Sequence, residues 1–430
     1  MALHKRTLYQ DQTTNLSDDV ICHHILPRLP CKLLSRFKVT SKAYHALIAP
    51  KTYFATLQSL SPSPSSTGFI CVNSRNLSFL PHQDDIGIPD PSLHFMVVKS
   101  LQDVKLLASA NGLLLFYLFG GVNSLCICNP ATMEKKILLK EEPEENITKE
   151  MGLVFNPHVS LDKYTVVGPL FETSSAGIEY TFNVYSSQTG KWVCSKQKVF
   201  MSCSRNAPSN PVYCLGLVYW SCVDYLLWFD PEKDRAGTIL LPYYYGSARQ
   251  LVEAFKDELA CMCITSRGDI EVWRLIGGTK WNRLYKLGSD TLIHEISCAH
   301  CFGPLSDEIG TRSILTDFAT PLAFDGKSMY LSVNMKEWHR LRKNRLVSNK
   351  RISFDEDVLY FMDRVDDDYF YSDSESDAND DCEDNLEELL CCDMLIGKLI
   401  NTGMSVIRTN RNFRVFYYHN SMVSVPPISK

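Results

Sequence analysis

Polar turns recur through most of this 430-residue chain at intervals that a repeated structural unit would produce. Each turn lies between two apolar runs, and Lys136, Lys191, Lys233 and Lys280 mark successive turns at separations of 55, 42 and 47 residues. A four-stranded blade of a β-propeller needs about 40–50 residues. The spacing therefore predicts a large all-β domain, built as a β-propeller. A β-sandwich is the alternative, although it needs fewer strands and no such period.

The β pattern extends to the end of the chain. Short apolar or alternating runs are separated by turn signals such as Asn111-Gly112, Asn156-Pro157 and Gly277-Gly278, which is typical of an all-β domain. The run Tyr213–Trp220 is predicted to be one strand. The final run, Phe413–Tyr418, is predicted to pair with an early strand, because joining the first and last blades removes exposed sheet edges.

The N-terminal part has a helical pattern instead. Ser17 is a suitable N-cap, and Pro27 is predicted to end the first helix near Leu26. A second helix is predicted over about residues 32–39, and a third from about Ser41. The apolar positions of these short helices outnumber what so small a core can bury, which predicts that a partner protein covers the surplus.

This pattern resembles the F-box, the adaptor-docking module of Skp–cullin–F-box ubiquitin ligases. Ser17 stands where a proline is usual, and Tyr44 stands where a tryptophan is usual. The resemblance implies a three-helix F-box and a Skp-type adaptor, with a cullin scaffold behind it. The adaptor-binding residues are predicted to be Leu16, Val20, Ile25, Leu26, Leu29, Pro30, Leu34 and Phe37.

The later sequence resembles the Kelch-related or F-box-associated β domains of plant F-box proteins. The matching phrases include Ser109–Leu115, Cys128–Thr132, Gly152–Pro157 and Gly216–Trp220. Paired glycines before each Tyr and Trp, which complete the Kelch signature, are absent, so the number of blades stays open. The predicted organisation is a polar tail over residues 1–15, an F-box over 16–55, a linker over 56–68 and the β domain over 69–427.

Charge is concentrated late in the chain. The stretch 355–388 holds sixteen acidic residues and one arginine, and a basic run precedes it at 336–351. The segment at about 366–384 is predicted to be a disordered, mobile insertion between two strands of a late blade, because its charges repel and its apolar residues are few. Ser372 and Ser374 each have an acidic residue three positions on, so both are candidate phosphorylation sites.

The sequence offers no catalytic constellation, and no cofactor or metal is predicted. Cys298 and Cys301 form the single C-x-x-C, and a zinc site needs a second ligand pair. The sixteen scattered cysteines and the polar start favour free thiols in a reducing compartment, the cytoplasm or the nucleus. No membrane or nucleic-acid partner is expected, since the basic run lacks interleaved aromatic residues.

Three functions follow from these patterns. The first is a non-catalytic substrate-recognition subunit of a ubiquitin ligase, with the F-box on the adaptor and the β domain on an unknown target protein. The second is a scaffold that binds the adaptor without ubiquitylation. The third is a propeller enzyme or lectin with a degenerate F-box. Proteasome-dependent turnover of a target separates the first two, and failure to co-purify with the adaptor favours the third.

Overall fold

The computed structural model of the chain describes residues 17–48, 53–60, 67–72, 77–81, 87–96, 104–119, 124–138, 150–202, 208–242, 249–255, 257–289, 291, 319–324, 328–334, 385–393, 398–408, 414–419 and 425. Within these residues a few short N-terminal helices precede a large all-β domain, as predicted. Leu16, Ser372, Ser374, the tail 1–15, the Cys298/Cys301 pair and the charged segment 336–384 lie outside the described residues.

The first helical stretch changes its hydrogen-bonding pattern along its length. It begins as α1 (Asp18–Val20), continues as a π-helical turn (Ile21–Ile25) and ends as a 3-10 turn (Leu26–Arg28). The Ser17 hydroxyl accepts a hydrogen bond from the Val20 N–H at 3.4 Å, as its N-cap role predicts. The π-helical turn ends at Ile25 with Leu26 as its C-cap, near the predicted end of the helix. Pro27 lies at the start of the 3-10 turn that follows, where it lacks only an N–H that has no partner there.

Three further helices follow. They are α2 (Cys31–Lys38), α3 (Lys42–Leu47) and α4 (Tyr53–Leu60). The Ser41 hydroxyl caps α3 by accepting from the Tyr44 N–H at 3.1 Å. Helix α4 runs through the predicted boundary between residues 55 and 56, so residues 56–60 of the predicted linker belong to the helical module, which we define as residues 17–60.

The strands form six antiparallel sheets in the described part of the chain, and we call them blades 1 to 6. Blade 1 contains β1 (Thr67–Val72) and β2 (Leu77–Pro81). Blades 2 and 3 contain β3 (Val104–Ala110), β4 (Leu113–Leu118), β5 (Ser124–Asn129), β6 (Glu134–Leu138), β7 (Gly152–Phe155), β8 (Tyr164–Ser174), β9 (Gly177–Ser186), β10 (Lys191–Cys194) and β11 (Val199–Met201).

Blades 4 to 6 repeat the four-stranded order. Their strands are β12 (Ser209–Cys214), β13 (Leu217–Ser221), β14 (Tyr225–Asp230), β15 (Arg235–Leu240), β16 (Arg249–Phe255), β17 (Glu258–Ile264), β18 (Ile270–Ile276), β19 (Lys280–Leu287), β20 (Ala319–Phe324), β21 (Ser328–Asn334), β22 (Asn385–Asp393) and β23 (Lys398–Arg408). Leu215 and Gly216, with φ of 50° and 87°, divide the predicted single strand Tyr213–Trp220 into β12 and β13. The apolar leucine concealed this turn in the sequence.

The C-terminal strand β24 (Arg414–His419) closes the ring. It pairs antiparallel with β1, from Thr67 opposite His419 to Val72 opposite Arg414. The first strands of blades 2 to 6 contact one another in sequence, and β24 contacts both β20 and β3. The domain is therefore a closed propeller with the predicted pairing of its last strand, and the two-sheet sandwich is excluded. The four lysine-marked turns connect the third and fourth strands of blades 2 to 5.

Strand direction gives the propeller two unlike ends. Turns from first to second and from third to fourth strands emerge at one end, which we call the turn end; the longest of them is 156–163. Connections from second to third strands and between blades emerge at the other, the long-connection end. The connections 139–151, 288–318 and 335–384 join strands at this end. Since β21 and β22 pair directly, the charged stretch joins neighbouring strands of blade 6.

The core lies in the layers between blades. Large side chains such as Phe182, Trp220 and Phe229 are buried between blades 3 and 4. Gly152 of β7 reaches so close to blade 4 that an added Cβ would lie 2.2 Å from Val218 Cγ1. Neighbouring blades therefore meet with little room at this point.

Gly152→Ala is expected to lower the free energy of unfolding by about 1–3 kcal/mol, because the new methyl group overpacks the interface. Gly288→Ala is the matched control, since nothing lies within 4 Å of its added Cβ. Chemical denaturation of both variants measures the difference. Equal free energies of unfolding for the two variants would show that blades 3 and 4 can move apart enough to accommodate the methyl group without a loss of stability.

Candidate functional site

The helical module carries its predicted adaptor-binding residues at three depths. Val20 and Ile25 are exposed on the first helical stretch, with 36% and 37% of their surface accessible. Leu29 and Phe37 are half-buried. A deeper set is buried inside the module itself: Leu26, Pro30 and Leu34.

This division changes what the predicted residues can do. Among the predicted residues that the structure describes, Val20 and Ile25 present the most apolar surface to a partner, and they stay exposed although the module has a packed core of its own. Val39 and Tyr53 of the same module, which were not predicted, are also exposed. Leu26 and Leu34 belong to that core, where they contact Ile48, Phe54 and other buried residues. Leu29 and Phe37 pack against the same core.

The later part of helix α4, residues 56–60, belongs to the module although the sequence interpretation assigned it to a linker. Phe54 and Ala55 are buried in the core, and Gln58 is buried beside them. The Gln58 amide donates to Cys31 Sγ at 3.5 Å. The spacing of residues 54, 55 and 58, all on one face of a helix, is the signal that would have placed α4 inside the module.

The core of the helical module also includes a residue of the propeller. Ala131, in the β5–β6 turn of blade 2, is 2% exposed and packs into the same cluster as Cys31 and Leu34. Lys38 of α2 is affected by the propeller as well. Partial burial lowers the pKa of Lys38, and the negative charge of Glu134 in the propeller opposes this shift. The module therefore rests on the turn end, and the long-connection end points away from it.

Tyr44, which stands where a tryptophan is usual, packs against another aromatic ring. Its ring meets Phe37 edge-on, with centroids 6.1 Å apart and an interplanar angle of 74°. Such edge-to-face pairs are favourable beyond their buried area. The third helix is thus fixed to the second through a pair that lies partly at the surface.

The comparisons with known proteins identify the β domain. The model of the F-box associated beta propeller domain matches residues 81–302, more than half of the chain. The chain belongs to this family. The matched residues begin at the end of β2 and run past β19, so they take in blades 2 to 5.

The named relatives of this F-box-associated propeller are plant F-box proteins. F-box protein At5g49610 of Arabidopsis thaliana is 27% identical over 260 residues, which cover 54% of this chain and 66% of that protein. F-box protein At3g26010 of the same plant is 23% identical over 303 residues, covering 66% and 71%. This chain thus spans just under two thirds of the first relative's length. The family and these relatives make it a plant-type F-box protein with a C-terminal β domain.

Among solved structures, the β-propeller domain of Nup133 from Vanderwaltozyma polyspora is similar at 8% identity and a TM-score of 0.31, over 71% of this chain and 70% of that one. That likeness is too distant to bear on function.

The buried thiols that the structure describes in this F-box-associated protein are held in their protonated form. The cysteines whose side chains the structure describes are free, and burial raises the pKa of Cys31 to about 12 and of Cys126 to about 11. A thiol with so high a pKa is a poor nucleophile and a poor metal ligand at neutral pH.

Over the described ranges, no group of three or more His, Cys, Asp or Glu side chains could hold a metal ion. Within the same ranges, no helix has the length and hydropathy to span a membrane.

Proposed function

We propose that this chain is the substrate-recognition subunit of a Skp–cullin–F-box type ubiquitin ligase. The observation that carries the proposal is the exposure of Val20 and Ile25 above a packed core in a module whose sequence resembles the F-box. The family of the β domain and the names of the relatives support the same function. A Skp-type adaptor covers the exposed pair, and a cullin scaffold joins through the adaptor.

In this function the chain makes and breaks no bonds. It holds a target protein near the ligase chemistry and converts a bimolecular encounter into a tethered one. The target binds the propeller at the long-connection end, which the helical module leaves open. The complex acts in the cytoplasm, the nucleus or both.

Changing Val20 and Ile25 together to aspartate tests the adaptor surface. We expect the double variant to lose about a hundredfold or more in affinity for a purified Arabidopsis thaliana Skp-type adaptor, because buried apolar anchors dominate such interfaces. The melting temperature should stay within a degree or two of the unaltered chain, since both side chains are exposed. Titration calorimetry measures the affinity.

Val159→Asp is the matched control, because it makes the same change at a 76% exposed valine of blade 3. It should bind the adaptor normally. Unaltered binding by the double variant would contradict the proposed surface. Target proteins should be captured under proteasome inhibition by the intact chain and by the double variant alike, because they bind the propeller. Their turnover should depend on the intact chain and slow with the double variant.

A further inference from the structure

The β5–β6 turn of blade 2 differs from its counterparts in blades 3 and 4. Turns at the same position follow Ser186 in blade 3 and Asp230 in blade 4, and all three begin with a side-chain oxygen that accepts a backbone N–H two residues on. In blades 3 and 4 the residue that donates this N–H is Gln188 or Glu232, and both side chains are exposed. In blade 2 it is Ala131, which is buried among the helices.

The shared cap means that the backbone of this turn accepts a polar residue at the Ala131 position. Asn129 Oδ1 accepts from the Ala131 N–H at 2.9 Å, and Asp230 Oδ1 accepts from the Glu232 N–H at 3.0 Å. The small apolar residue in blade 2 is thus explained by what packs on the turn and not by the turn itself. A longer or charged side chain there would enter the core of the helical module.

The closing strand fixes this turn from below. The Tyr418 hydroxyl, fully buried on β24, donates to Gly112 O or Asn129 Oδ1, at 3.1 Å and 3.3 Å. Asn129 is also fully buried. Next to it, Glu134 Oε2 accepts from the Val425 N–H at 2.8 Å, and Lys136 Nζ donates to Val425 O at 2.6 Å. Residues from the C-terminal part of the chain therefore hold the platform on which the helices rest.

We propose that the β5–β6 turn is part of the adaptor-binding module: Ala131 completes the core of the F-box, and Asn129 and Tyr418 act with it as positioning residues for the adaptor-binding helices. This inference rests on the proposed function. It implies that the closed propeller helps to hold the helices in their binding geometry.

Ala131→Glu in the full chain tests the proposal. The substituted turn matches the one in blade 4, so the propeller should keep its melting temperature. Affinity for the Arabidopsis thaliana Skp-type adaptor should fall about tenfold or more, because a carboxylate forced into an apolar core displaces its neighbours. Ala131→Ser, a small residue, should restore most of the affinity. Gln188→Glu is the matched control, because it places a glutamate at the same turn position in blade 3, where the side chain is exposed. This variant should bind the adaptor normally.

Hydrogen exchange without adaptor provides the second measurement. Ala131→Glu should speed amide exchange in α2 and α4 while the strands of blades 3 to 5 exchange as before. Wild-type affinity of Ala131→Glu, with normal binding by the unaltered chain, overturns this proposal and leaves the proposed function standing. Unchanged exchange in α2 and α4 overturns it as well. If the unaltered chain fails to bind the adaptor, the proposed function and the adaptor role of the turn fall together.

Discussion

Tyr418→Ala is expected to lower the free energy of unfolding by about 3–5 kcal/mol, the usual cost of removing a fully buried aromatic side chain. The side chain is inaccessible to solvent and packs edge-on against Phe79 of blade 1, with ring centroids 5.9 Å apart. It also lies in the cluster shared by blades 1 and 2. Its loss opens a cavity where the ring of blades closes. Denaturant titration followed by tryptophan fluorescence measures the change.

Tyr418→Phe separates packing from hydrogen bonding. It keeps the ring and leaves the acceptors Gly112 O and Asn129 Oδ1 without the hydroxyl, so the expected loss in free energy of unfolding is about 1–2 kcal/mol.

Ending the chain at Asn412 removes β24 entirely and should abolish cooperative unfolding, because β1 loses its partner strand. A truncated chain with the melting curve of the full one would contradict closure.

Leu34→Ala is expected to destabilise the helical module by about 2–5 kcal/mol. Leu34 is completely buried, and it packs with Leu26, Ile48 and Phe54 from the other helical segments. The substitution leaves a cavity that short helices cannot easily collapse around. Amide exchange in α2, α3 and α4 should speed accordingly, and the affinity for the adaptor should fall because fewer molecules hold the folded module.

Ile25→Ala is the comparison for this prediction. Ile25 is exposed and contributes little to the module's core, so its truncation should change exchange in the helices by less than about tenfold. Adaptor affinity should nevertheless fall. If Leu34→Ala and Ile25→Ala accelerate exchange equally, the separation between buried support and exposed contact residues is wrong.

Local patterns in the sequence were sufficient for much of the fold. The period of the lysine-marked turns predicted blades, and the apolar run after residue 412 predicted a closing strand. The caps Ser17 and Ser41 also stand where the first and third helices begin. These features depend on neighbours along the chain, since turn chemistry, capping and strand alternation act over a few residues.

Other features were misjudged for the same reason. Leu215 concealed a turn because its apolar side chain continues the strand pattern. The linker boundary after residue 55 fell inside α4. A strained turn overrides the local preference at Leu215, and tertiary packing overrides it in α4.

The sequence by itself determined that a helical F-box-like module precedes a repeated β domain whose last strand returns to the first. Only the tertiary structure decided that Val20 and Ile25 are exposed while Leu26 and Leu34 are buried, and that Ala131 and Tyr418 support the helices. The reason is physical. Periodicity specifies which residues share a face, but burial depends on what packs against that face, and residue 131 meets residue 34 only after the propeller has folded.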